Sequence, residues 1–83
     1  MTLRYWSSLR AAAGTTEEVV DAGTLADALA SARRLHGAEP RFSTVLGICS
    51  VVVDGAPVGR HDHAAVALAD GSVVELLPPF AGG

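Results

Sequence analysis

The chain has 83 residues, a formal net charge of −3, 49% hydrophobic and 18% charged side chains. That length makes one domain with a small core, and the composition excludes a disordered chain. No apolar run approaches the roughly 20 residues of a membrane span, so no membrane partner is expected. All six basic residues are arginines (Arg4, Arg10, Arg33, Arg34, Arg41 and Arg60), with no basic run beyond two residues, so no nucleic acid is expected either. The absence of lysine leaves the N-terminal amine as the chain's sole amine for acylation. The start, MTLRYWSS, lacks a basic stretch followed by an apolar block, and the single cysteine, Cys49, makes no internal disulfide. Both features point to a cytoplasmic protein.

Leu3 and Tyr5 alternate with Arg4 and Trp6, the pattern of a half-buried opening strand. Residues 8–13 form a helix-permissive connection stopped by Gly14, and the β-rich stretch 15–20 predicts a second strand in a hairpin with the first. Thr24 then opens the clearest helix: its hydroxyl suits an N-cap, and Asp27 stands three residues on. Leu25, Ala28, Leu29, Ala32 and Leu35 share one face, while Arg33, Arg34 and His36 sit near the negative helix end and Gly37 provides the stop. A loop through Pro40 leads to the near-continuous β-branched run 48–53, read as a strand buried on both faces. Asp54-Gly55 is a turn signal, with a short strand expected at Val58 after Pro57. Asp70-Gly71 makes another turn, residues 73–77 the last strand, and Pro78-Pro79 its end.

The order strand, strand, helix, strand, short strand, strand predicts an α+β domain over 1–77, with one main helix on one face of a mixed sheet. It fits the β-grasp, or ubiquitin-like, plan without selecting it among such topologies. Residues 78–83, Pro78-Pro79-Phe80-Ala81-Gly82-Gly83, form a flexible tail. Held extended by its two prolines at about 3.1 Å per residue, the tail reaches roughly 19 Å. Gly82 and Gly83 have no side chains, so the C-terminal carboxylate fits a narrow tunnel and an enzyme backbone can approach it. A carboxylate, with a reference pKa of about 3.3–3.7, is a poor electrophile until adenylated. Once adenylated, a sulfur nucleophile can displace AMP and leave a thiocarboxylate on Gly83.

The opening Leu-Arg-Tyr-Trp-Ser-Ser-Leu-Arg-Ala-Ala-Ala-Gly, the Val53-Asp54-Gly55 and Asp70-Gly71 turns and the ending Leu-Pro-Pro-Phe-Ala-Gly-Gly resemble the MoaD/ThiS sulfur-carrier family. The diproline before the glycines is most similar to the MoaD branch, the small subunits of molybdopterin synthase. The resemblance implies a carrier and not an enzyme. It implies no bound cofactor, ATP consumed by a MoeB-type adenylating partner, and insertion of the thiocarboxylated tail into a MoaE-type large subunit during molybdenum cofactor synthesis. The alternatives are a carrier for thiamine, cysteine or natural-product sulfur pathways, and a ubiquitin-like protein modifier.

Strand alternation sets Trp6 and Leu77 on the faces opposite Tyr5 and Leu76. If the first and last strands are neighbours, the two form an apolar partner-binding patch at the root of the tail. Cys49 reads as a small core side chain. His61-Asp62-His63 lacks the third ligand cluster of a metal site and reads as a solvated loop. Ser7 and Ser8 have no histidine nearby in the sequence and are assigned no nucleophilic role.

Overall fold

The computed structural model describes residues 1–79; Phe80, Ala81, Gly82 and Gly83, and the expectations attached to them, lie outside the described residues. Five strands, β1 (Thr2–Tyr5), β2 (Glu17–Val19), β3 (Ser50–Val53), β4 (Ala56–Pro57) and β5 (Val73–Leu77), form one mixed sheet in the order β2-β1-β5-β3-β4. The first and last strands are parallel neighbours at its centre, with Leu3 opposite Val74 and Tyr5 opposite Leu76. The other pairings are antiparallel. Because side chains alternate across a sheet, this register puts Leu3, Tyr5, Val74 and Leu76 on one face, where all four are fully buried.

Three helices cover that face: α1 (Ser7–Ala13), α2 (Leu25–Leu35) and α3 (Pro40–Leu46). The main helix starts where expected, with the Asp27 N–H donating to Thr24 Oγ1 at 3.2 Å. Leu25, Ala28, Leu29 and Ala32 enter the core. Burying each leucine contributes about 1.5–3 kcal/mol. Leu35 departs from the expected stripe and is 57% exposed. It lies in the helix's last turn, after the last α2 residue of the buried core, Ala32.

The segment expected as a loop through Pro40 is a helix. Glu39 caps it by accepting from the Arg41 N–H at 3.1 Å, and Pro40 occupies the first turn, where its missing N–H costs nothing. Phe42 and Leu46, four residues apart, fall on one side of this helix and are buried. The domain thus carries three helices where one main helix was expected. The β-branched run is also shorter than expected: β3 spans Ser50–Val53, Val51 to Val53 are half-buried, and Ile48 is 58% exposed. Only one face of β3 meets helices, so burial on both faces is not achieved. The short strand is Ala56–Pro57, with Val58 buried just beyond it. The first two strands do pair antiparallel, but through α1, whose end is closed by Gly14 at φ 75°.

One end of the core is polar and aromatic. The Tyr5 hydroxyl donates to Glu18 Oε2 at 2.7 Å, and the same oxygen lies 2.8 Å from His36 Nε2. Phe42 packs edge-on to Tyr5 at 5.5 Å and tilted against His36 at 4.5 Å, between ring centroids. The cluster ties β1, β2, the end of α2 and α3 together. Burial, then the Glu18 hydrogen bond, pushes the Tyr5 hydroxyl pKa well up.

Candidate functional site: the root of the C-terminal tail

The last strand runs through the middle of the sheet, so the chain leaves the domain between β1 and β3. The Trp6 N–H donates to Leu76 O at 3.2 Å, one step beyond the end of β1. On the other side Ser50 opposes Leu77. Pro78 has no N–H to extend the ladder, which stops there. Pro78 is buried and Pro79 exposed. The start of the tail therefore lies against the body, which shortens the reach expected from Leu77.

The open face of the sheet carries Arg4, Glu17, Glu75 and Val52 in one row across four strands. Arg4 bridges Glu17 at 3.2 Å and Glu75 at 3.1 Å, so this row is charge-matched. The next row toward the tail holds Leu77 and Ser50, and the β1–β5 register extended by one residue brings Trp6 beside Leu77. Trp6 is 38% exposed and Leu77 half-buried. The strands are neighbours, and this register carries Trp6 and Leu77 to the same face.

A cleft of about 660 Å³ opens at this root. Leu77, Pro78 and Pro79 form one wall, and Cys49, Ser50, Val52, Pro57 and His63 line the remainder. A smaller one of about 260 Å³ lies among Arg4, Tyr5, Trp6, Arg10 and Thr16. Cys49 packs against the core as expected and also faces the cleft, which its sequence context did not reveal. Its Sγ donates to Val45 O at 3.3 Å, and burial pushes the thiol pKa up to about 11. A thiol so held is a weak nucleophile at neutral pH.

His61 and His63 part company. Asp62 accepts from the Ala64 N–H at 3.0 Å and caps a single 3-10 turn, His63–Ala65. His61 is exposed, whereas His63 turns to the cleft. Among the described residues no three His, Cys, Asp or Glu side chains cluster to hold a metal. Cys49, Ser50 and His63 were missed as neighbours of the tail because strand register and the 3-10 turn bring them there, and neither leaves a local motif. Among the described residues no helix is long and apolar enough to cross a membrane.

The ThiS family model matches residues 3–83. No curated protein sequence matches the chain. Among solved structures, small archaeal modifier protein 1 from Haloferax volcanii is similar at a TM-score of 0.79 and 27% identity, covering 100% of this chain and 98% of that one. The Methanosarcina acetivorans protein of the same name gives 0.78 and 23%, covering 99% and 94%. A complex of subunits 1 and 2 of the Helicobacter pylori molybdopterin-converting factor gives 0.70 and 22%, covering 99% and 96%. The fold is the ubiquitin-like β-grasp that the element order suggested.

Proposed function

Since the chain belongs to the ThiS family, we propose that it carries sulfur on the carboxyl group of Gly83. A carboxylate oxygen attacks the α-phosphate of ATP on a MoeB-type partner and releases pyrophosphate. Hydrosulfide then forms a carbon–sulfur bond at Gly83, the carbon–oxygen bond to AMP breaks with AMP taking the electron pair, the S–H proton passes to solvent, and a thiocarboxylate remains. The protein supplies the reacting group and its placement, and the partner supplies the nucleotide chemistry. The observation that carries this reading is the family match running through the terminal Gly-Gly. The central β5 supports it, because that strand directs the chain out beside an apolar row where an enzyme can take hold of both body and tail.

The acceptor we propose is a MoaE-type large subunit assembling the dithiolene of molybdopterin. The similarity to the Helicobacter pylori complex supports it, since one of those two chains shares this fold with a partner bound. Trp6 and Leu77 are the residues we assign to the body contact, and the tail beyond the buried Pro78, from Pro79 to Gly83, is the segment we assign to entering the partner. A second reading, attachment of Gly83 to other proteins as a modifier, is favoured by the similarity to the archaeal modifiers.

Intact-mass spectrometry tests both readings. With the activating partner, ATP and a sulfur donor, the chain should gain one oxygen-to-sulfur exchange at Gly83, and a chain truncated before Gly83 should gain none. Gly82→Val should fold normally yet transfer sulfur about a hundredfold more slowly, because a branched side chain misplaces the reacting carbonyl. An unchanged full-length mass beside an active partner would sink the carrier reading. Amide-linked adducts on other proteins, without thiocarboxylate, would favour the modifier.

A further inference from the structure

Resting on the activation of Gly83 proposed above, we infer that this chain is built as an acyl donor whose own amine and thiol are shielded as acyl acceptors, so that joining of one copy to another is slowed. In such a joining, an unprotonated amine attacks the Gly83 acyl carbon. A nitrogen–carbon bond forms, the carbon–oxygen bond to AMP breaks, AMP departs with the electron pair, and the amine proton passes to solvent. The step needs an accessible amine, and the sequence offers no lysine among its 83 residues. Arginine stays protonated at any ordinary pH and does not substitute.

That leaves the amine of Met1, and the fold ties it down. It donates to Val20 O at 3.0 Å, while the Val20 N–H donates back to Met1 O at 3.0 Å. The exchange continues the β1–β2 ladder by one pair, beyond Thr2 opposite Val19. Met1 itself is 8% exposed and belongs to the hydrophobic core. Reaction at this amine requires the end of the ladder to open and a core side chain to leave.

The remaining strong nucleophile is Cys49, and it stands close to the tail. It shares the cleft wall with Pro79, and the four residues from there to Gly83 span up to about 14 Å when extended. Its thiol is half-buried, bonded to Val45 O, and kept protonated at neutral pH. The Tyr5 hydroxyl is likewise committed to Glu18. A thioester or amide made with the chain's own groups is thus disfavoured at each position that has the chemistry for it, and the activated end is left for a partner. Conjugation, where it occurs, adds single copies to other proteins.

An external acylating reagent tests this without any activation of Gly83. N-hydroxysuccinimidyl acetate should acetylate Met1 of the folded chain at least about tenfold more slowly than the peptide of residues 1–6, the factor expected from one charge-assisted hydrogen bond. Adding Gly-Ser ahead of Met1 moves the amine into solvent and should restore the peptide rate, with the folded spectrum retained. Iodoacetamide should show the same protection at Cys49, relieved in denaturant. Equal rates for the folded chain and the peptide, or an extended chain no faster than the original, would overturn the inference. A protected chain that is never adenylated would remove the sulfur reading alone.

Discussion

The two faces of β5 do opposite work within five residues. Inward, Val74 and Leu76 are fully buried against helices that close over them. Outward, Val73, Glu75 and Leu77 are half-buried on the face opposite those helices, and that row ends at the stem of the tail. One strand thus anchors the domain and leads into the tail. Alternation makes this cheap, since a change on one face leaves the other face's contacts in place.

The sharpest way to break the contrast is on the inner side. Phe42→Ala removes a fully buried ring that packs on Tyr5 and His36, and denaturant unfolding should show a loss of about 3–5 kcal/mol. A loss below about 1 kcal/mol would mean that α3 does not close the core.

Alkaline pH probes the same cluster. The folded-state pKa of Tyr5 is raised above the ordinary value of 10, so the stability it confers is present below that pH and is lost above it, as the unfolded chain ionises first. Cys49, pushed up to about 11 from 9, acts in the same direction from pH 9 upward. With one tyrosine, one cysteine and no lysine in the chain, few side chains titrate in this window. Stability should fall by about 1.4 kcal/mol per pH unit above 10 from tyrosine alone. Tyr5→Phe should flatten that slope, and a slope unchanged by the substitution would show that Tyr5 is not the group responsible.

On the outer face the effects should move from folding to binding. Trp6→Ala and Leu77→Ala should each weaken docking to a MoaE-type subunit by about 1–3 kcal/mol, measured by calorimetry, with little change in thermal unfolding. Unfolding of either variant would show that the outer row is part of the core. The smallest effect belongs to Arg4→Ala. Its two partly exposed ion pairs should contribute little to stability, and less at high salt, where a denaturation series in sodium chloride should converge with the parent.

Local rules made much of the frame legible. Thr24 starts α2 and Pro78 ends β5 because a cap hydroxyl and a missing N–H act on their immediate neighbours. Leucines at helical spacing and valines in a run declare their elements for the same reason. Signals for α3 were also present, in Glu39, Pro40 and the Phe42–Leu46 spacing, but seven residues make a marginal helix that packing must sustain. The Gly-Gly ending after a diproline was legible as well, because it is written in the sequence itself, and the chemistry proposed for it starts from that ending.

Position across the fold was not legible. Sequence alone determined that β1 and β5 alternate, and so which of their residues share a face. Tertiary structure decided that these two strands lie parallel at the centre, that Ser50 opposes Leu77, that His63 turns to the cleft and that Met1 is locked to Val20. The physical reason is range. Alternation and capping arise from bonds within a few residues, whereas strand register is chosen by the burial of a whole face against α1, α2 and α3, which no single stretch of the chain contains.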